Sequence, residues 1–176
     1  MAYHSIWNDF EAEEIARVPI LPIRTTHKGP SPRWEGDEGT MDIVEEALYY
    51  YRANVFFRSY DVEGGGDRII IYLTLYITEC LKQMSRITNK DGSLTSMHQL
   101  AIKPFSLPGD RGFPLNSFYG TCENKNQKER LKQYLTQLRE EIGTRLTERV
   151  YRSGRADKWW IVFTKRKFLN MSLGKN

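Results

Sequence analysis

The stretch that most constrains the fold is Asp67–Met84, which follows three consecutive glycines. In the 13 residues of Ile69–Leu81 only two threonines and one glutamate are polar, so a helix here is apolar on nearly every side. Such a helix must be covered by other parts of the protein or by lipid. A membrane span needs about twenty apolar residues, more than this run contains. We therefore predict that protein covers it, without membrane insertion.

A buried strand is the alternative for the same stretch, because Ile69–Ile77 is rich in β-branched and aromatic residues. Length decides between the two structures. The apolar register continues to Met84, well beyond the roughly six residues of a typical strand. We predict a central buried helix over about 67–86, with Asp67 as its N-cap because a short carboxylate accepts hydrogen bonds from the first free amides.

The first of the surrounding helices is predicted to begin after Asp42. The spacing of Asp42 and Glu45 is that of a capping box, in which each side chain satisfies the other residue's amide. Apolar residues then recur at helical period as far as Val55, while Glu45 and Glu46 are expected on the opposite side. A short connection to the central helix predicts that the two helices pack antiparallel.

Three further helices are predicted downstream. A short one runs from Ser93, its cap, to Ala101, and a long one covers Gln127–Tyr151 with Asn126 as its cap. The last segment, Lys158–Asn170, follows a capping Asp157 and fits either a helix or a strand, of which we favour the helix.

The first 41 residues are predicted to be irregular, because prolines and glycines interrupt them repeatedly. They leave room only for a short helix over Asp9–Arg17. A chain of 176 residues has the length of one domain. The predicted fold is therefore all-α: a single-domain helical bundle over residues 1–176, with one central helix surrounded by the others and an irregular N-terminal segment.

No catalytic or metal-binding constellation can be identified in the sequence. Its three histidines are scattered singly, and Cys80 and Cys122 form neither a metal spacing nor a disulfide framework. The glycines of Gly64–Gly66 precede a helix but lack the P-loop and dinucleotide motifs. The N-terminus has no secretory-signal pattern. We predict a cytosolic protein that is not an enzyme, with no catalytic residues, cofactor or metal.

Charge is distributed unevenly along the chain. Residues 1–122 carry 12 Lys and Arg against 16 Asp and Glu, a net charge of −4, whereas residues 123–176 carry 14 against 6, a net charge of +8. A basic C-terminal third suits an acidic partner, such as nucleic acid, anionic lipid or an acidic protein. The alternative is a solvated face without a partner.

Two segments are candidates for binding. Trp159 and Trp160, followed by the cations Lys165–Lys167, form an aromatic and basic mixture suited to nucleic acid. The alternative is that both tryptophans belong to the core. The proline- and glycine-rich loop Pro108–Asn116 carries apolar side chains that either form an interface or fold back onto the core.

Several short motifs, in order along nearly the whole chain, resemble one known family, subunit 3 (the 21-kilodalton subunit) of the actin-related protein 2/3 complex. The motifs are Ala2–Ser5, Leu21–Arg24, Lys28–Pro30, Asp42–Ala47, Ala53–Phe57, Asp67–Ile69, Pro108–Gly109, Gly112–Asn116, Lys158–Trp160 and Lys165–Asn170. The chain departs from the family over Phe10–Pro19 and in three variable stretches: 34–41, 88–97 and 121–127.

The resemblance implies an all-α fold around one helix and a non-catalytic subunit of a seven-subunit assembly. That assembly nucleates daughter actin filaments as branches on a mother filament. The implied partners are the other subunits, especially the larger actin-related protein, and the mother filament; nucleotide binding belongs to the actin-related subunits.

From charge and resemblance together we predict two partner-binding regions. The first is a basic surface formed by six cations: Arg152, Arg155, Lys158, Lys165, Arg166 and Lys167. The second is a docking loop formed by Phe113, Pro114, Leu115 and Asn116. The competing hypothesis is a small basic helical nucleic-acid-binding protein.

Overall fold

A computed structural model describes residues 2–174, and its main elements are helices. They are α1 (Ile43–Asn54), α2 (Gly65–Met84), α3 (Lys90–Ile102), α4 (Lys125–Val150) and the short α5 (Lys158–Ile161). Three 3-10 turns cover Asn116–Phe118, Val162–Lys165 and Phe168–Asn170. Two strands, β1 (Glu14–Ile15) and β2 (Val18–Pro19), pair antiparallel. The predicted helical bundle is confirmed, but the fold is not strictly all-α.

Helix α2 is the centre of the molecule, as predicted. Fifteen of its 20 residues are buried, and α1, α3, α4, α5 and β2 all contact it. Its two threonines fit this apolar setting because they bond within the helix: the hydroxyl of Thr74 donates to the Ile70 carbonyl at 2.7 Å and that of Thr78 to the Thr74 carbonyl at 3.2 Å. Within residues 2–174, no helix is long and apolar enough to cross a membrane.

The start of α2 differs from the prediction. The N-cap is Gly64, which has no side chain, and the missing acceptor comes from Asn8, whose Oδ1 accepts from the Asp67 amide at 2.8 Å. Asp67 lies in the first turn and is not the cap. A Cβ at Gly66 would lie 2.5 Å from the Ser5 Oγ, so this glycine allows the N-terminal segment to pack against the helix end.

The cap of α1 is confirmed, but one side of this helix was assigned wrongly. The Asp42 carboxylate accepts from the Glu45 amide at 2.8 Å. Glu45 does not complete a capping box, because it pairs with Arg149. Glu46, expected to face solvent, is fully buried and accepts from the Ser5 hydroxyl at 2.5 Å and the Ile6 amide at 2.8 Å. The N-terminal segment covers this side of α1.

Helices α3 and α4 both begin earlier than predicted, each after an asparagine. Asn89 accepts from the Gly92 amide at 2.7 Å, and Asn124 accepts from the Gln127 amide at 2.9 Å. The predicted caps, Ser93 and Asn126, therefore lie within the first helical turns. Ser93 is buried and its hydroxyl lies 2.8 Å from that of Thr147, where α3 packs against α4.

The C-terminal segment is helical, as predicted, but it is broken. Asp157 caps α5 by accepting from the Trp159 amide at 2.8 Å. Helix α5 ends after four residues, and 3-10 turns follow. The break places Phe168 in the core, where its ring packs edge-on against Tyr60 at 6.0 Å.

A β-hairpin replaces the short helix expected over Asp9–Arg17. The two residues between β1 and β2, Ala16 and Arg17, have φ of 53° and 63°, the left-handed region that tight hairpin turns require. Ile15 and Val18 on the strands are buried. Burial of these side chains against the helices outweighs the cost of a left-handed turn without glycine.

Buried carboxylates hold the irregular N-terminal segment to the helices. The carboxylate of Asp67 accepts from the Ser5 amide at 2.8 Å, and the carboxylate of Glu46 on α1 accepts from the following amide, that of Ile6, at 2.8 Å. Burial, together with the negative charges of Asp67 and Asp42, raises the pKa of Glu46 although hydrogen bonds from Ser5 and Ile6 oppose the shift.

The central position of α2 predicts a large effect of truncation there. Ile71→Ala deletes packing at a fully buried site, and we expect the free energy of unfolding to fall by about 2–5 kcal/mol. Ile102→Ala makes the same deletion at a side chain that is 56% exposed, and should change it by less than about 0.5 kcal/mol. Urea unfolding measures both; equal losses would contradict the burial of α2.

The raised pKa of Glu46 predicts a pH-dependent stability. The folded protein binds this proton more tightly than the unfolded chain does. The resulting stabilisation is complete below the unfolded pKa of about 4.5 and is lost as the pH rises through the folded pKa. Glu46→Gln stays neutral, so we expect its stability relative to the wild type to rise as the pH increases from about 4.5 through the folded pKa of Glu46.

Urea unfolding at several pH values measures this difference. Glu38→Gln makes the same change at an exposed acid and is the control, measured at the same pH values. A difference for Glu46→Gln that does not change with pH would show that the proton affinity of Glu46 is unchanged by folding.

Candidate partner-binding surface

The six cations predicted to form a basic surface are all exposed. Arg152 and Arg155 follow α4, and Lys158 opens α5. Lys165 ends the 3-10 turn after α5, and Arg166 and Lys167 follow that turn. None of the six forms an ion pair within residues 2–174. The cations that do form ion pairs lie elsewhere, for example Arg130 with Glu13 and Arg145 with Asp42. The six charges are therefore available to a partner.

A turn that carries Arg152 and Arg155 joins α4 to α5. Gly154 adopts a φ of 91°, a conformation that glycine reaches without strain. The Asp157 amide then donates to the Val150 carbonyl at 2.8 Å, which ties the start of α5 to the end of α4.

The two tryptophans of α5 have different environments. Trp160 is 7% exposed, stacks on Tyr51 at 6.3 Å and lies under the guanidinium of Arg52 at 4.3 Å. Trp159 is 75% exposed. Trp160 thus anchors the segment to the core, as the alternative interpretation expected of both tryptophans, whereas Trp159 presents its ring to solvent.

Aromatic residues of α1 and of the chain just beyond it add to the same surface, and the sequence pattern did not predict them there. Tyr49, Arg52 and Phe56 lie along its exposed side and just beyond its end. The Arg166 guanidinium lies 4.9 Å from the Phe56 ring, so the basic segment and α1 are in contact. The sequence signal for this surface was the presence of two aromatic residues, Tyr49 and Phe56, away from the apolar stripe of the predicted helix.

We call this combined surface the basic-aromatic face. Its members are Tyr49, Arg52, Phe56, Arg152, Arg155, Lys158, Trp159, Val162, Lys165, Arg166 and Lys167. Aromatic residues and arginine are enriched in protein interfaces, and this face exposes both beside further positive charge.

A cavity of about 570 Å³ lies at the edge of this face, between α1 and the end of α4. Arg52, Arg149 and Arg152 line it together with Glu45 and Asp157. Arg149 already pairs with Glu45. Since both charge signs are present, the cavity suits polar contacts with a protein surface better than capture of an isolated anion.

The loop predicted to dock a partner is largely folded onto the core. Phe113 and Leu115 are buried, and the Phe113 ring stacks on Tyr72 at 6.4 Å. These two side chains were wrongly placed on a docking surface, because the loop needs them to hold it against α2. Pro114 is half-buried and Asn116 is exposed, so these two remain at the surface.

Asn116 also shapes the loop. Its Oδ1 accepts from the Gly109 amide at 2.8 Å, and its Nδ2 donates to the Asp110 carbonyl at 2.8 Å. These two bonds close the loop on itself and give it a fixed outer surface.

One group of side chains has the composition of a metal site. Ligand atoms of His4, Glu63 and Asp67 lie within 4.8 Å of one another. Both Asp67 oxygens are already used: Oδ1 accepts from the Ser5 amide and the Tyr60 hydroxyl, and Oδ2 from the Glu63 amide and the His4 ring. An ion would have to displace these donors, so the group serves as a structural anchor.

The two cysteines are not activated. Burial raises the pKa of Cys80 to about 12 and also raises that of Cys122, so both thiols are protonated at neutral pH.

The fold and surface together define a class: a helical protein with a fully enclosed central helix and an exposed face suited to binding another macromolecule. Comparison with known proteins identifies the family within that class. The family model described as the ARP2/3 complex ARPC3 (21 kDa) subunit matches residues 1–173, and the chain belongs to this family.

Similar proteins come from distant organisms. Each is named actin-related protein 2/3 complex subunit 3. The Dictyostelium discoideum protein is 46% identical over 177 residues, covering 98% of this chain and all of the relative. The Schizosaccharomyces pombe protein is 37% identical and the Arabidopsis thaliana protein 36% identical, covering 98% and 97% of this chain and 99% and 98% of the relatives. The family resemblance predicted from the motifs is confirmed.

The different environments of the tryptophans predict different effects on stability. Trp160→Ala should lower the free energy of unfolding by about 3–5 kcal/mol, because it empties a packed site. Trp159→Ala removes a solvent-facing ring, and we expect a change below about 0.5 kcal/mol. Thermal and urea unfolding measure both. A large loss for Trp159→Ala would place this ring in the core.

Proposed function

We propose that the chain is a non-catalytic structural subunit that contributes to the nucleation of branched actin filaments within its complex. In this proposal it contacts the larger actin-related protein and the mother filament, in the cytoplasmic actin cytoskeleton. Membership of the family supports a place among the subunits of the complex. The observation that carries the filament contact is the basic-aromatic face, with its six exposed cations.

Charge explains how this face recognises a filament. Actin filaments are acidic, and complementary charge across an interface speeds encounter and fixes the register of the two surfaces. Arg166 lies over the Phe56 ring and Lys158 directly precedes Trp159 in the chain, so apolar contact area lies beside positive charge. Aromatic residues and arginine are the side chains that most often dominate protein interfaces.

A second contact is proposed for the closed loop around Asn116. Its fixed shape suits docking, because a preorganised surface loses little conformational freedom on binding. Only Pro114 and Asn116 of the originally predicted set are at the surface, and we assign this loop a contact with another subunit of the complex.

Nucleic-acid binding is the second candidate function. Its supporting observation is the exposed ring of Trp159 beside the cations, since single-stranded nucleic acid stacks on such rings. A protein filament is favoured because the family model covers nearly the whole chain.

Charge reversal of the basic segment tests the filament contact. In the assembled complex, the combined change Lys165→Glu, Arg166→Glu and Lys167→Glu should weaken cosedimentation with actin filaments about tenfold, or about 1.4 kcal/mol. The effect should shrink as salt is raised. Co-purification of the remaining subunits should be unchanged.

The matched control reverses three exposed cations outside the face, with Arg86→Glu, Lys103→Glu and Lys132→Glu, and should leave filament binding intact. Equal filament binding by both triple variants would contradict the assignment of the filament contact to Lys165, Arg166 and Lys167. A salt-sensitive gel shift of single-stranded DNA, lost only in the first variant while filament binding persists, would favour nucleic acid.

A further inference from the structure

A second concave surface lies away from the basic-aromatic face. It is a cavity of about 540 Å³ between the N-terminal segment and the extended chain before α1. Its apolar walls are aromatic rings and prolines: Trp7, Phe10, Trp34, Pro22 and Pro32. Trp7 is beside the start of α1, and no residue of the basic-aromatic face is among those that line this cavity.

The walls of this cavity are fixed by contacts within the chain. The Trp7 indole donates to the Met41 carbonyl at 3.0 Å, and its ring packs against Phe10 at 5.0 Å and Trp34 at 5.7 Å. The Arg24 guanidinium covers Trp34 at 4.8 Å. Phe10 remains 47% exposed although it lies within an aromatic cluster. The cavity is therefore preformed, as binding sites usually are.

The rim of the cavity is acidic. Three carboxylates line it, Glu11, Glu13 and Glu35, together with one cation, Arg33. Glu13 is neutralised by Arg130, whose guanidinium donates to it in two places. The other exposed rim acids, Glu11 and Glu35, form no ion pair within residues 2–174. An occupant with positive charge next to apolar groups complements this rim.

We propose that this cavity binds a proline-containing basic segment of a partner protein. Aromatic-lined grooves accept the extended polyproline conformation because that conformation is already formed before binding. The rings of Trp7, Phe10 and Trp34 provide such a groove. Lysines or arginines on either side of the proline then meet Glu11 and Glu35.

This assignment is independent of the filament contact proposed for the basic-aromatic face. The two surfaces differ in charge, and their side chains are different. An acidic filament is repelled by the rim of this cavity and attracted by the other face. A variant that loses peptide binding at the cavity can therefore still be tested for filament binding at the basic-aromatic face, and the reverse also holds.

Fluorescence polarisation with the full-length chain tests the proposal. The probe is a labelled peptide with a Pro-Leu-Pro centre and two lysines on each side. Two comparison peptides keep the lysines with a Gly-Ser-Gly centre, or keep the centre with glutamates in place of the lysines. We expect saturable binding of the first peptide only, weakening with salt because the rim is charged.

Two variants assign binding to the cavity. Phe10→Ala should weaken the peptide about tenfold by removing an aromatic wall, and Glu35→Lys about fivefold by reversing a rim charge. The controls make the same changes elsewhere at exposed positions, with Ile102→Ala for an apolar side chain and Asp61→Lys for an acid, and should bind like the wild type.

Several results would overturn the proposal. They are failure of the first peptide to bind, equal binding of the Gly-Ser-Gly or glutamate peptide, and equal affinities for the cavity variants and their controls. Concentration-dependent dimerisation lost in Phe10→Ala would make a second copy of this chain the occupant instead. Circular dichroism confirms that each variant is folded, and Glu35→Lys, at an exposed site, tests the cavity even if Phe10→Ala unfolds.

Discussion

The fold depends on one constraint: α2 is apolar on nearly every side, so other parts of the chain must cover it completely. One neighbouring helix covers only part of its circumference. The chain therefore supplies α1, α3 and α4, the β-hairpin and the C-terminal turns, all of which contact α2 or its immediate neighbours. The hydrophobic effect drives this enclosure, since each buried aliphatic or aromatic side chain contributes roughly 1.5–3 kcal/mol. What is left for recognition is the outside of the covering layer.

Part of that covering layer is irregular backbone, and its buried polar groups must find hydrogen-bond partners outside any helix or sheet. Buried amides need partners, and an irregular segment cannot provide them as a helix or sheet does. Here the partners are buried side chains on the helices: Asn54 and Glu46 on α1 and Asp67 on α2. Asn54 Oδ1 accepts from the Tyr3 amide at 3.0 Å, and Asp67 and Glu46 accept from Ser5 and Ile6. Three of the motifs that carry the family resemblance, Ala2–Ser5, Ala53–Phe57 and Asp67–Ile69, meet at this place.

This arrangement explains which features the sequence predicts well. Long apolar periodicity identifies α2 and α4, and local caps such as Asp42 and Asp157 can be recognised because the acceptor and the amide are close in sequence. The cap of α2 could not be recognised, because its acceptor is Asn8, 59 residues away. The hairpin was missed because Ala16 and Arg17 adopt positive φ without the glycine or asparagine that signals such turns.

The candidate surface, like the fold, could be predicted from the sequence only in part. Six cations could be predicted to be exposed, because charged side chains are seldom buried without a partner. Phe113 and Leu115 were misplaced, since an apolar side chain in a loop is compatible with an interface and with a core, and only the packing against α2 decides.

The buried and exposed roles of aromatic residues follow from the same geometry. Trp160 and Tyr51 stack on each other in the core, and the neighbouring Trp159 is exposed. Trp7, beside the start of α1, is buried, and Phe10, which packs against it, is largely exposed. In both places a buried ring of the covering layer therefore has an exposed ring next to it. The local charge, basic in the first place and acidic in the second, then determines which kind of partner each set of rings can accept.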